Sequence, residues 1–158
     1  MNLIRGKGRH QNRFLFLICV GFLILGLGCG KKAPPVAAKA TVPPAVKDLK
    51  AEVMGDKVRL TWSVPKKGNE VFDGLESFGV YKYESHSSVE MCPGCPIPFE
   101  HFLDIKLDDP KPARVEGDRI VCHDKIEADY RYAYKVVVYH KSGGVSDDSN
   151  VVRITTNQ

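Results

Sequence analysis

Apolar and polar residues alternate along most of the chain from residue 46 onward, the pattern of half-buried strands. The alternating apolar sets are Leu49, Ala51 and Val53; Val58, Leu60 and Trp62; Phe78 and Val80, with Tyr81 and Tyr83 opposite; Leu103, Ile105 and Leu107; Ile120 and Cys122; Tyr132, Tyr134, Val136 and Val138; and Val151 with Ile154. Gly, Pro, Asp and Asn separate these sets, as expected of turns. The pattern predicts an all-β fold over residues 46–156, a single antiparallel sandwich with one face of each sheet inward.

The pattern before residue 46 is different and typical of export. The first 13 residues carry four basic side chains and no acidic one, and an uninterrupted apolar run over 14–27 follows, ending in Gly28-Cys29. This order of charged, apolar and small residues is that of a secretory signal. The apolar run has 14 residues, whereas a membrane-spanning helix needs roughly 20. The sequence therefore predicts a signal peptide over 1–28, with an uncleaved membrane helix as the alternative.

Cys29 adds a more specific resemblance. A small residue followed by cysteine at the end of such a signal resembles the lipobox of bacterial lipoproteins, although Gly26 stands where that family has a larger aliphatic residue. The resemblance implies that Cys29 is the lipid attachment site, carries acyl chains such as palmitate, and becomes the new N-terminus. Gly30, in place of Asp, implies the outer membrane, facing the periplasm or the cell surface. Several acyl chains are needed for stable attachment, because one chain binds only marginally.

Residues 29–45 are rich in proline and alanine. Proline pairs and small side chains cannot bury a core and favour extended polyproline geometry. We therefore expect a lipidated, flexible tether that holds the following domain away from the membrane.

The net charge of +4 belongs to the signal. Its four basic residues are part of a total of 23, so the remainder has 19 basic residues against 19 acidic ones. A neutral mature chain gives no electrostatic reason to expect nucleic acid as a partner.

Several short motifs resemble the fibronectin type III family. The run 60–65, Leu-Thr-Trp-Ser-Val-Pro, is similar to the second strand of that domain, and 78–82 fits the third. The Tyr-Ala-Tyr-Lys-Val run at 132–136, followed by glycines and paired serines, is similar to the sixth strand and its turn. The resemblance implies that Trp62 lies in the core and that Tyr132 is the corner tyrosine, whose hydroxyl bonds to nearby backbone. The alternative for Tyr132 is an ordinary amphipathic aromatic residue of the core.

The chain departs from that family in an insertion at about 84–98, which contains Cys92-Pro93-Gly94-Cys95. Pro and Gly at the two central places favour a type II turn, whose ends lie within about 7 Å. Disulfide-bonded cysteines have Cα atoms about 4.4–6.8 Å apart. Because an exported chain enters an oxidising compartment, a Cys92–Cys95 disulfide is expected.

Other uses of these cysteines stay open. Cys92 and Cys95 could form a redox pair, although no βαβ unit is visible around them, or half of a zinc site with Cys122 and His123, although neighbours on a strand point to opposite faces. Cys122 is either an inert core thiol or a disulfide partner of Cys92 or Cys95, and the sequence does not fix the connectivity.

No catalytic motif is evident in the mature chain. Its four histidines are scattered, and the paired aspartates lie beside Pro or Gly in predicted turns. The sequence therefore predicts a non-catalytic membrane-anchored lipoprotein without metal or cofactor beyond the lipid. Its sandwich would recognise or scaffold an envelope protein through the cysteine insertion or exposed strand edges. The alternative is a thiol-redox or metal-binding protein.

Overall fold

The computed structural model describes residues 40–90, 92 and 94–156. The predicted signal peptide, Cys29 and most of the predicted tether lie outside these residues. Within the described ranges every regular element is a strand: β1 Lys50–Met54, β2 Lys57–Ser63, β3 Lys66–Lys67, β4 Glu70–Val71, β5 Leu75–His86, β6 Glu100–Lys106, β7 Arg114–Glu116, β8 Arg119–Lys125, β9 Tyr130–His140 and β10 Val152–Thr155. None of this described chain forms a helix long and apolar enough to cross a membrane.

Two four-stranded antiparallel sheets form the sandwich. One has the order β1-β2-β8-β7 and the other β10-β9-β5-β6, while β3 and β4 make a separate small hairpin. Each sheet combines strands that are distant in sequence, so the apolar faces of both sheets can close over one core. The predicted all-β antiparallel sandwich is confirmed.

The core consists of the inward residues of the central strands. Trp62, on β2, is fully buried and meets the Phe78 ring of β5 edge-on, with 5.8 Å between ring centroids. The other fully buried large side chains are Leu60, Ile105, Ile120, Tyr134, Val58, Val80, Val136, Val138 and Cys122. Because these come from both sheets at period two, the alternation in the sequence identified the buried face correctly.

Two apolar positions differ from the prediction. Val53 pairs with the buried Val58 and points to the same face, yet it is 48% exposed, near the end of the edge strand β1. Val151 lies outside β10, and the inward residues there are Val152 and Ile154, which pair with Tyr134 and Tyr132. Which residues of β10 point inward is decided just before the strand, where the backbone N–H of Ser149 donates to the carbonyl of Val136.

Two segment boundaries also differ. The backbone N–H of Thr41 donates to Ser142 Oγ at 2.9 Å, and Pro43 is buried. Thr41 and Pro43, given to the tether on composition, therefore contact the sandwich. Strand β5 continues through His86, so the connection to β6 covers 87–99 instead of starting at 84.

Candidate functional site

The connection between β5 and β6, here called the disulfide loop (residues 87–99, described except for 91 and 93), contains the predicted cysteine pair. Cys92 and Cys95 form a disulfide with 5.4 Å between their Cα atoms, and both residues are exposed. The backbone N–H of Cys95 also donates to the carbonyl of Cys92 at 3.2 Å. Gly94 has a φ of 83°, a left-handed conformation that glycine adopts without a steric cost.

The disulfide loop is attached to the sandwich on both sides of its cysteines. Ser87 donates its backbone N–H to the carbonyl of Asp129 at 2.7 Å, and Arg131 donates from Nη1 to the carbonyl of Val89 at 2.9 Å. On the other side, Lys135 Nζ lies 5.0 Å from the centroid of the Phe99 ring. Strand β9 therefore supports both arms of the loop.

Cys122 does not join the loop cysteines. It lies on β8 with 1% of its surface exposed and is a free thiol. Burial, helped by the negative charge of Asp124, raises the pKa of this thiol to about 12. His123, its neighbour, is exposed, as expected of a residue on the other face of the strand. No group of three or more His, Cys, Asp or Glu residues in the described part of the chain is arranged to hold a metal ion.

The resemblance also singled out Trp62 and Tyr132. Trp62 is in the core, and its Nε1 has no hydrogen-bond acceptor among the described residues. The Tyr132 hydroxyl accepts a hydrogen bond from the backbone N–H of Glu127 at 2.9 Å. This bond ties the turn between β8 and β9, which also carries Asp129, to the start of β9.

A polar cluster that sequence reasoning missed connects the two sheets at the same end. Lys82 of β5 donates from Nζ to Asp124 Oδ2 of β8 at 2.8 Å and to Glu84 Oε2 at 2.7 Å, and the Tyr134 hydroxyl also donates to Asp124 Oδ2 at 2.8 Å. Burial by itself would lower the pKa of Lys82, but the hydrogen bonds to Asp124 and Glu84 outweigh it and raise the pKa above its ordinary value. Burial, followed by the bond to Asp124, raises the pKa of Tyr134.

A second group missed from sequence lies on the outer face of the sheet formed by β10, β9, β5 and β6. The hydroxyls of Tyr81 and Tyr139 are 2.9 Å apart, and a Cβ at Gly79 would lie 2.9 Å from the Tyr139 ring. Their hydrogen bond, followed by partial burial, raises the pKa of Tyr139 to about 12. Lys135 Nζ lies 5.3 Å from the Tyr81 ring centroid and 2.8 Å from Asp148 Oδ2. The side chains of Tyr81 and Tyr139 therefore make their contacts with other residues of the same sheet.

The disulfide loop and Thr41 lie at opposite ends of β5 and β9. Leu75 pairs with His140 at one end of the two strands, and His86 pairs with Tyr130 at the other. Thr41 is bonded at the first end, to the turn that follows His140. The loop follows His86 at the second end.

Comparisons with known proteins bear on the fold. No family model matches the chain, and no curated protein is similar enough to count as a match. Among solved structures, the third fibronectin type III domain of the human KIAA0343 protein is similar with a TM-score of 0.53 and 13% identity, over 82% of this chain and 94% of that one. The fibronectin type III domain of human fibronectin type III domain containing protein 3 has a TM-score of 0.46 and 20% identity, over 77% and 93%. With the strand order and the buried Trp62, the first likeness establishes that the described chain has a fibronectin type III-like fold.

Proposed function

We propose that this chain is a lipoprotein of the bacterial envelope, anchored through acyl chains at Cys29 after removal of residues 1–28. Its fibronectin type III-like sandwich recognises or scaffolds a protein partner, and the disulfide loop is the contact surface. The protein acts by binding and not by catalysis. The observation that carries the proposal is the position of the loop, exposed and supported by β9 at the end of the sandwich opposite Thr41.

Chain geometry supports a spacing role for the tether. The residues between Cys29 and Thr41 can span at most roughly 40 Å, since an extended chain covers about 3.3–3.6 Å per residue. Strand β9 has 11 residues. A strand rises about 3.3 Å per residue, so the two ends of β9 are separated by roughly 35 Å. Because Thr41 is bonded at one end of β5 and β9, the disulfide loop at the other end is left accessible to a partner.

The anchoring half of the proposal is tested by the intact mass of protein extracted from membranes. We expect a mass that lacks residues 1–28 and includes acyl chains, and a Cys29→Ala variant that is neither cleaved nor acylated. An unmodified mass for the membrane-extracted protein, with residues 1–28 still present, would contradict the lipoprotein assignment.

The recognition half is tested by co-isolation after chemical cross-linking in cells. We expect a partner that is lost when residues 88–98 are replaced by a short Gly-Ser turn. A matched control is the double substitution Lys67→Ala/Asn69→Ala, at exposed positions of the β3–β4 hairpin and its turn, which should retain the partner. Circular dichroism of both variants checks the fold. Equal recovery of the partner by the loop replacement and the control would move the contact surface from the loop to the sheets.

A further inference from the structure

The Cys92–Cys95 disulfide is accessible and lies apart from the core. Both cysteines are exposed, and neither belongs to the cluster of buried apolar side chains. The loop is attached by other contacts, at Ser87, Val89 and Phe99. Opening the disulfide would therefore leave both arms of the loop attached to the sandwich.

The geometry that brings the two cysteines together does not depend on the S–S bond alone. The Cys95 N–H donates to the Cys92 carbonyl, and Gly94 supplies the left-handed residue of the turn. A pair reduced to thiols would stay close because the backbone turn remains.

The remaining described thiol is protected from taking part. Cys122 is buried on the inner face of β8, and burial raises its pKa to about 12. Because the thiolate is the form that attacks a disulfide, Cys122 would not scramble with the loop cysteines in the folded chain.

We propose that the Cys92–Cys95 disulfide is an exchange site for a protein dithiol. A thiolate of the partner attacks Sγ of one loop cysteine; the S–S bond breaks as a mixed disulfide forms, and the other loop cysteine leaves as a thiolate. The partner's second thiol, as its thiolate, then attacks the partner's own sulfur in the mixed disulfide; that S–S bond breaks, and the first loop cysteine leaves as a thiolate. Two electrons and two protons pass to Cys92 and Cys95, and the partner becomes a disulfide. The inference rests on the proposed function, because it assigns a chemistry to the partner of the loop.

Accessibility is tested on full-length protein in detergent with dithiothreitol as the dithiol. After alkylation, the tryptic peptide 83–106 contains Cys92 and Cys95 and no other cysteine, so its mass reports the loop disulfide alone. We expect the reduction rate in the native protein to be within tenfold of the rate in the urea-unfolded chain. A native rate more than tenfold slower would overturn the inference.

Reversibility is tested by moving the reduced protein into oxidised glutathione. We expect Cys92 and Cys95 to bond to each other again, while Cys122 becomes alkylated only after unfolding. Stable glutathione adducts on the loop cysteines, or a bond from either of them to Cys122, would count against a reversible exchange site.

A third experiment separates this inference from the proposed function. The single variants Cys92→Ser and Cys95→Ser leave one loop thiol, which can attack the disulfide form of the partner and be caught in a mixed disulfide. The variants Cys92→Ser/Cys95→Ser and Cys122→Ala are matched controls. The inference is supported by an adduct that forms in a single variant but not in the double variant and that dithiothreitol releases. The peptide of the partner protein in that adduct should contain two cysteines. With no such adduct the exchange inference fails, whereas recognition stands if non-covalent co-isolation still depends on residues 88–98. If that dependence is also absent, both fail.

Discussion

Replacing Asp124 with Ala should lower the free energy of unfolding by about 3–5 kcal/mol, the usual cost of removing one partner from a buried ion pair. The side chains of Lys82 and Asp124 are only 17% and 10% exposed. The substitution leaves Lys82 with Glu84 as its one carboxylate partner and removes the acceptor of the fully buried Tyr134 hydroxyl. Two desolvated groups therefore lose a partner at once.

Matched variants separate the charge from the hydrogen bonds. Asp124→Asn keeps an oxygen that can accept from Tyr134, so it should cost less, about 1.5–3 kcal/mol for the charged hydrogen bond it weakens. The double variant Lys82→Met/Asp124→Leu should recover the part of the loss that comes from the ion pair, because replacing a whole buried pair by apolar residues is often neutral. The part that comes from the Tyr134 hydroxyl should remain, since leucine supplies no acceptor.

Urea unfolding followed by Trp62 fluorescence measures these differences. The pH dependence adds a second test, because the pKa of Lys82 is raised above its ordinary value of 10.5. Stabilisation by the protonated amine is then fully present below pH 10.5 and is lost as the pH rises through the pKa of the folded protein. The wild type should lose more stability above that pH than Lys82→Met does. A cost below about 1 kcal/mol for Asp124→Ala, within the range of exposed ion pairs, would refute the buried-pair argument.

Three further predictions concern single residues. Trp62→Ala should cost about 3–5 kcal/mol through the cavity it leaves, whereas Trp62→Phe should cost less because it also removes the unpaired indole N–H; unfolding followed by circular dichroism compares them, and unchanged stability of the Ala variant would contradict the core position. Tyr132→Phe should cost about 0.5–1.5 kcal/mol, the usual contribution of one hydrogen bond, and should speed amide hydrogen exchange at Glu127, while unaltered exchange would place the stabilisation elsewhere. Cys122 should resist iodoacetamide at pH 8 in the folded protein and react after unfolding, since burial raises the pKa of its thiol to about 12; rapid labelling of folded protein would show that the thiol is not protected.

The strands and the core could be predicted from the sequence because alternation is a local signal. Leu60, Trp62 and Val136 lie at period-two positions that identify the inward face without reference to another strand. The same rule failed at Val53, because exposure at an edge depends on which strand lies next to it. It also failed at Val151, where hydrogen bonds made by a preceding serine set the phase of β10.

The polar cluster between the sheets was missed because it depends on long-range pairing. Lys82 continues the inward phase of Phe78 and Val80, and Asp124 continues that of Ile120 and Cys122. The sequence did contain one indication of this ion pair, namely opposite charges at inward positions of two strands. Nothing local indicates that β5 and β8 face each other at that level of the sandwich, so the sequence could not join the two residues.

The change of chemistry along the inward face of β5 separates the disulfide loop from the stability of the core. The inward residues Phe78 and Val80 give way to Lys82 and Glu84 before the strand ends at His86. The loop therefore follows the part of β5 in which ion pairs and tyrosines take the place of aliphatic packing. Sites that are distant and share no partner usually add in free energy within about 0.3–0.5 kcal/mol. The losses of unfolding free energy from replacing the loop and from truncating Trp62 should then be additive, which urea unfolding of the single and combined variants measures.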